Sequence, residues 1–539
     1  MRIMIRKKIA ELAKKSIRDL QKEGVLTQFE IPEIIVDYPR EKGHGEYSTN
    51  IALILAKMAR KNPTEIAEIL ANRTSDKIFE KVEAANGFIN FFVSEDYLRN
   101  RVKEILKQKD KFGNLIIKRK QKINVEFISA NPTGPLTLGN GRGGFCGDAL
   151  ANVLAKAGYK VVREYYLNDR GEQIIKLGHS VLGDEQAVYK GKYIDDLRKK
   201  LLQGRALQYS VEEVGEKAAE IILDKMIKPT VKRMGISFDV WFSEKSLYVK
   251  KEVDKEISEL KKKELVYNKD GAVWFKSKKF GDDKDRVLVK TDGEKAYFAS
   301  DIAYLKNKIK RGFDVLIMFV GADHYGYVVR MKALAEALGF DKDNLKIVVM
   351  QMVRLMKDGQ EVKMSKRSGI YVTLDELIDE VGLDIARYFF LTRSPNTHLN
   401  FDLDLAKEQS EKNPVFYIQY AYARIHSILA KSKIKNQKSK IQIKSQNLKL
   451  LKEPSELNLI KQLIKLPEVV EDTERDYQVQ RLPQYATDLA TAFHHFYRDC
   501  RVISEDKKLS EARLSLILAA KIVLKNTLDL MGISAPEKM

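Results

Sequence analysis

Residues 123–167 read INVEFISANPTGPLTLGNGRGGFCGDALANVLAKAGYKVVREYYL. INVEFIS, Ile123 to Ser129, is a short apolar run with the pattern of a buried strand. Phe145, Leu150, Val153, Leu154 and Ala157 then recur at helical spacing, and Gly158 closes that helix. VVREYY reads as the next strand. Downstream, VLVK from Val287, VLIMFV from Val315 and IVVMQMV from Ile347 each stand beside a helical pattern. Strands alternating with helices argue for a parallel, doubly wound sheet.

The flanks differ from this centre. The first stretch mixes helices with short strands: Asn50 to Arg60 reads as helix, Asn62 and Pro63 open another, and GFINFFV, Gly87 to Val93, reads as a strand. From Leu405 onward long amphipathic helices follow one another without strand alternation. The expected architecture is an N-terminal α+β module over 1–110, a Rossmann-like doubly wound α/β core over 111–400 with a Lys/Glu-rich helical insertion at about 190–265, and an all-α module over 401–539. The lysine-dense stretch 431–452 reads equally as a solvated face or as an RNA contact.

Composition narrows the partners. With 539 residues the chain has ample length for several cores without disulfides or metals. Lys+Arg outnumber Asp+Glu by 96 to 75, a formal +21, which favours a polyanion, with nucleic acid ahead of an acidic membrane. Cys146 and Cys500 are too far apart for a CxxC site, and no HExxH occurs, so no metal site is expected. The N-terminal MRIMIRKKIAELAKKSIRDL is a basic amphipathic helix rather than a signal peptide, and no apolar run approaches a membrane span. A cytoplasmic protein, not membrane-bound, is expected.

Two segments carry chemistry. In the first, a strand ends at Ser129 and a loop with Pro132, Gly134 and Pro135 leads to a glycine-rich turn opening a helix. Beyond the carboxyl end of a strand in an open α/β sheet, that is a nucleotide site by position. Gly139 to Gly144 with Glu164 imitates the G-x-G-x-x-G dinucleotide fingerprint, but ANPTGPLTL intervenes between strand and glycines, so that reading is rejected. The second segment is Lys363-Met364-Ser365-Lys366-Arg367-Ser368-Gly369, after an Asp358-Gly359 turn. Three cations with two hydroxyls suit a polyphosphate, and phosphoryl-type chemistry is mainly electrostatic clamping.

These two segments, with HGEYSTNIALILAK, NGFINFF, FDVWFSEKSLY, AYFASDIAY, GADHYGY and LTRSPNTHLNFDLDLAKEQSEKNPVFYIQYAYARI, make the chain resemble a class I aminoacyl-tRNA synthetase, more narrowly arginyl-tRNA synthetase, over essentially its whole length. The resemblance implies ligation of L-arginine to tRNA(Arg) with ATP and Mg2+, through arginyl-adenylate, by a monomer. It implies that Lys363, Met364, Ser365 and above all Lys366 stabilise charge developing on the phosphates. The family's HIGH signature falls on Thr137-Leu138-Gly139-Asn140 with both histidines replaced. Thr137 and Asn140, with Gly139 and Gly141, are nonetheless expected to bind ATP, since hydroxyl and amide can hydrogen-bond as a neutral imidazole does. For arginine the implied residues are Asn131, Glu244, Tyr297, Asp301, Asp323 and His324, with Asp301 also fitting a helix N-cap. Without the resemblance, Glu244 reads as an ordinary surface carboxylate. The helical module is implied to read the anticodon, with Tyr420 and Arg424 as expected tRNA contacts among aromatics that mostly serve the core, and the N-terminal module to meet the tRNA elbow. The altered signature leaves one alternative, a catalytically weakened tRNA-binding paralogue.

Overall fold

The computed structural model describes residues 4–39, 41, 43–117, 120–202, 209–322, 325–362, 373–435 and 447–539. At its centre lies a five-stranded sheet whose strands run side by side as Leu345–Met350, Val315–Gly321, Lys122–Glu126, Lys160–Leu167 and Val240–Ser243, all parallel. In chain order that is fifth, fourth, first, second, third, the order of a doubly wound sheet. Ile123 lies beside Val161 on one side and Val315 on the other. Ile123, Val125, Leu316 and Ile317 are all buried, which is why these strands read as apolar runs.

Three expectations change. VLVK is not a core strand: Arg286–Val289 pairs antiparallel with Ala272–Phe275, which pairs with Val266–Lys269, in a separate sheet inserted before the fourth core strand. The third core strand, Val240–Ser243, falls inside the stretch expected as insertion. It is short, partly exposed and at the sheet edge, so it carries no strong apolar signal. The glycine-rich segment is not a turn either. A single helix, Leu138–Ala157, contains it.

The N-terminal module packs helices Ile51–Ala59 and Pro63–Arg73 on a three-stranded antiparallel sheet in the order Tyr47–Thr49, Phe88–Val93, Phe79–Ala85. Asn62 caps the second of these helices by accepting the Thr64 N–H at 2.8 Å. The C-terminal module is built from helices Pro414–Lys435, Pro454–Leu463, Leu466–Asp476, Arg481–Asp499 and Lys507–Met531.

Buried ion pairs join these parts. Glu468 accepts from the Tyr38 and Tyr47 hydroxyls and pairs with Arg6, which also donates to Asp472 at 2.7 Å. Arg387 is fully buried and donates to Asp148 at 2.9 Å, to the Met234 carbonyl and to the Met531 carbonyl. One guanidinium thus ties the glycine-rich helix to the end of the last helix of the chain.

Candidate active site

The first and fourth core strands are neighbours, and the chain leaves them in opposite directions. Ligands of doubly wound sheets bind in the crevice beyond the strand ends at such a point. Here that crevice is a cavity of about 360 Å³ lined by Gly139, Gly143, Phe319, Gly321, Met350 and Met352. A larger cavity, about 640 Å³, lies on the other side of Ile128 and Asn140 and is lined by Asn131, Gly134, Asn168, Tyr189, Lys190 and Tyr193. Ile128 and Asn140 line both.

The glycines explain how the helix comes so close. A Cβ at Gly147 would stand 2.4 Å from Phe127 Cγ, at Gly144 2.5 Å from Met234 Cε, and at Gly141 2.7 Å from Leu374 Cδ1. Each position admits only glycine unless its neighbour moves. Gly143 is different: a Cβ there meets nothing within 4 Å outside its own helix, so its backbone faces the cavity. Buried Arg142 fixes the helix from behind, donating to the carbonyls of Gln351, Ser394 and Thr397 at 2.7, 2.9 and 2.7 Å.

Thr137 is the N-cap of this helix and Asn140 its third residue. Asn140 Oδ1 accepts from both the Thr137 N–H and the Thr137 hydroxyl, each at 2.9 Å. Thr137 and Asn140 therefore hold each other in a cap, with Thr137 lining the larger cavity and Asn140 lining both.

The first core strand stops at Glu126, before the expected Ser129. Ile128 and Ser129 have φ of 68° and 42°, and Ser129 N donates back to Phe127 O at 3.0 Å. This tight γ-turn is strained for a β-branched residue. It is held by Ser129 Oγ, which accepts from Tyr166 N at 3.1 Å, and by the Tyr165 hydroxyl, which accepts from Ala130 N and donates to Ala130 O. Asn131 follows at once, its Oδ1 accepting from Asn168 Nδ2 at 2.7 Å.

Glu244, beyond the third core strand, is no surface carboxylate: it is 4% exposed. Burial pushes its carboxyl above the usual range, while the Ser300 and Tyr166 hydroxyls and Arg170 favour its charged form. Asp301 is not an N-cap, because helix Tyr297–Lys310 begins after Ala296 and places it a turn inside. It accepts from the Tyr327 hydroxyl at 3.1 Å, and burial, reinforced by the Glu244 charge, pushes it up to about 7. Tyr297, at the first turn, is 65% exposed. Glu244, Asp301 and Tyr297 thus gather beside the second and third core strands. Ser300, Tyr166, Tyr327 and Arg170 are neighbours that the sequence reading missed, and nothing in their spacing marks them. Asp323 and His324, and Lys363, Met364, Ser365 and Lys366, lie outside the described residues. The ends of the latter segment are described: strand Gln360–Val362 precedes it, and Leu374 after it donates to Leu136 O and packs on Gly141.

Glu164, the acid of the imitation fingerprint, is fully buried. It accepts both forks of Arg311 at 2.5 and 2.9 Å, together with Tyr304 and Asn124, and is closed to any ribose.

On the helical module, Tyr422, Phe493 and Phe496 are core, but Tyr420 and Tyr497 are 37% and 40% exposed. The Arg424 guanidinium lies 5.0 and 5.3 Å from their ring centres. A cavity of about 470 Å³ beside Tyr420 is lined by Tyr417, His494, His495 and Arg498. A cation between aromatic rings suits an unpaired base.

Family models match along the chain: an arginyl tRNA synthetase N terminal domain over residues 4–93, a class I (R) tRNA synthetase catalytic domain over 101–398, and a DALR anticodon binding domain over 418–539. The chain is 45% identical to a protein of Acetivibrio thermocellus described as arginine–tRNA ligase, with 99% of each covered. It is 43% identical to the Bacillus subtilis protein of the same description, with 96% of each covered. Its fold matches that of Thermus thermophilus arginyl-tRNA synthetase with a TM-score of 0.79, at 23% identity over 99% of this chain and 100% of the other. Matched in this way from its first helix to its last, the chain belongs to the class I arginyl-tRNA synthetase family.

Proposed function

We infer that the chain is an arginine–tRNA ligase, and that the two cavities flanking Ile128 and Asn140 are where its substrates meet. The observation that carries the reading is the likeness to named arginine–tRNA ligases over the full chain, which favours it over a weakened paralogue. In the first step an arginine carboxylate oxygen bonds to the α-phosphorus of ATP and the bond to pyrophosphate breaks. In the second a terminal ribose hydroxyl of tRNA(Arg) bonds to the arginyl carbonyl carbon, AMP leaves with the electron pair, and the hydroxyl proton is lost.

The apolar slot at Gly143 suits a purine ring. The phosphates then run past the N-terminus of helix Leu138–Ala157, where the helix dipole favours anions. Asn140 has its carbonyl committed to the cap, which leaves its Nδ2 as the donor for ATP. ATP brings Mg2+, held chiefly by phosphates and water. Among the described residues no group of three or more His, Cys, Asp or Glu could hold a metal ion. Lys363 to Lys366 clamp the departing pyrophosphate, with Lys366 acting mainly in the transition state.

Glu244 and Asp301 receive the guanidinium, a planar cation that two carboxylates can fork. Tyr297 closes over it, with Asp323 and His324 bounding the pocket, and Asn131 meets the α-amino and carboxyl groups. Tyr420 and Arg424 contact the anticodon, and residues 1–110 the tRNA elbow. The chain acts as a cytoplasmic monomer; among the described residues no helix is long and apolar enough to cross a membrane.

The test is charging of radiolabelled arginine onto its tRNA with ATP, with lysine and glutamine as controls. Arginine alone should be charged, and arginine-dependent ATP–pyrophosphate exchange should need tRNA. No charging by folded protein with cognate tRNA would overturn the reading.

A further inference from the structure

Glu244 lies close enough to Asp301 for its charge to oppose the ionisation of Asp301. The charge that offsets Glu244 itself sits on the loop after the second core strand. Asp169 fastens that loop on both sides of Glu244: its carboxylate accepts the Ser243 hydroxyl and the Lys245 N–H, the latter at 2.8 Å. Between them, the Glu244 N–H donates to Leu167 O at 3.0 Å. The residue after Asp169 is Arg170, which is thereby brought to Glu244 and favours its charged form. Its guanidinium does not bond the carboxylate. It lies on the Tyr248 ring, 3.4 Å from the ring centre, and among the described residues it donates no hydrogen bond and forms no ion pair. Lys295 meets the same ring at 5.5 Å but is paired with Asp254 at 2.7 Å. The Tyr248 hydroxyl in turn bonds the Ser300 hydroxyl at 2.7 Å, and Ser300 also favours charge on Glu244.

The groups facing Glu244 come from several elements. Tyr166 stands on the second core strand, Asp169 and Arg170 on the loop after it, and Tyr297, Ser300 and Asp301 on helix Tyr297–Lys310. Tyr327 and Arg330, from helix Tyr325–Ala337, act on Asp301. Burial and the Asp169 charge oppose ionisation of Glu244, while the Ser300 hydroxyl, the Arg170 charge and the Tyr166 hydroxyl favour it. A protein guanidinium has the same fork as the substrate's, so one bonded to Glu244 would fill the place that arginine needs. Held on an aromatic face instead, the cation acts through space. We propose that Arg170 is a positioning residue for arginine recognition: clamped on Tyr248, it supplies the counter-charge that keeps Glu244 a carboxylate in the empty pocket and leaves it open to the incoming guanidinium. This rests on the reading of Glu244 and Asp301 as the seat of that guanidinium.

The test is equilibrium binding of arginine, titrated from about pH 6 to about pH 8. The proteins are the wild type, Arg170→Ala, Arg170→Lys, and Asp301→Asn with and without Arg170→Ala. In Asp301→Asn, Glu244 is the remaining carboxylate of the pair, and affinity should be flat with pH while Arg170 is present. Adding Arg170→Ala should make affinity fall about tenfold as the pH drops across that range, the size expected for one lost neighbouring opposite charge. A carboxyl without its counter-cation holds its proton to higher pH, so the loss belongs to the acid end and recovers at the alkaline end. In the single Arg170→Ala protein, affinity at about pH 8 should equal or exceed that of the wild type, because a charge like the substrate's is gone, and at about pH 6 it should be lower. Arg170→Lys keeps the charge and should follow the wild type. A flat profile in the double variant, or a loss equal at every pH, would overturn the assignment; an equal loss marks packing rather than charge. So would Arg170→Lys behaving as Arg170→Ala. Glu244→Gln separates the two readings. It should abolish arginine binding by folded protein, and unchanged binding would overturn the guanidinium seat itself; with that seat intact, the outcomes above judge Arg170 alone.

Discussion

Gly143→Ala and Gly147→Ala exchange the same atoms in the same helix and should have opposite effects. At Gly143 the new methyl meets nothing within 4 Å beyond its own helix. Alanine in a helix interior is favoured over glycine by about 0.8–1.0 kcal/mol, so the protein should become more stable. The methyl, however, stands in the slot assigned to the purine. Overfilling a fitted site costs about 1–3 kcal/mol, or about 5- to 150-fold in affinity. Apparent KM for ATP in tRNA-dependent pyrophosphate exchange should rise by that factor. At Gly147 the methyl would lie 2.4 Å from Phe127 Cγ and 2.5 Å from its Cβ, against an ordinary contact of about 3.5–4.0 Å. Phe127 cannot retreat, being buried and packed on Phe238 with ring centres 4.6 Å apart. The helix must lift from the sheet, at a cost of about 1–3 kcal/mol. Denaturation midpoints and ATP titrations on both variants form the assay. A Gly143→Ala protein that is more stable yet keeps the wild-type KM for ATP would refute the reasoning, because nothing then approaches the helix at Gly143.

Lys366→Ala should lower kcat for activation about 10²- to 10³-fold with a smaller rise in KM for ATP; an unchanged kcat would mean that the segment only binds. Asp301 should govern a pH dependence of arginine binding. Its carboxyl, raised to about 7, is neutral below that pH and charged above it, so affinity for the guanidinium should strengthen as pH rises through about 7. Asp301→Asn should bind arginine weakly with no such dependence, as arginine titrations from pH 6 to 8 (about one unit either side) would show. Arg387→Ala should destabilise the protein by about 3–5 kcal/mol, since it leaves the Met234 and Met531 carbonyls without this donor and Asp148 with Arg163 alone at 3.4 Å. Arg387→Lys should recover little, because one ammonium cannot span three directions; denaturation of both variants checks this.

The parts of the fold legible in the sequence were those whose apolar side chains repeat. Phe145, Leu150, Val153 and Leu154 announce their helix because each buries a large side chain. The first turns of the same helix went unread because glycines write no hydrophobic pattern, and close packing is visible only when the neighbours, Phe127, Met234 and Leu374, are in place. Arg286–Val289 reads like a core strand because Leu288 is buried, but periodicity says nothing about which strand it pairs with. At the candidate site, Thr137 and Asn140 are singled out by the family resemblance, while their mutual cap is not legible, since it depends on which way two short side chains turn. The burial that raises Asp301, and the Tyr327 hydroxyl that opposes the rise, belong to the folded surroundings and leave no mark on the sequence beside Asp301.

The Arg6–Glu468–Asp472 seam has a consequence for how the chain is made. Arg6 and its partner Asp472 are separated by 466 positions. At about 5–20 residues per second, a ribosome needs about 25 to 90 seconds to travel from one to the other. Throughout that interval helix Ile5–Lys22 has its surroundings from the N-terminal module but not its acidic counterpart. Tyr38 and Tyr47, which close over Glu468, wait equally long with their hydroxyls unmatched. Arg6, made 466 positions ahead of Asp472, is therefore late to reach its final contacts. A nascent chain stalled before residue 468 would carry this half-built seam exposed, a surface that protein-folding helpers and proteases could distinguish from the finished molecule.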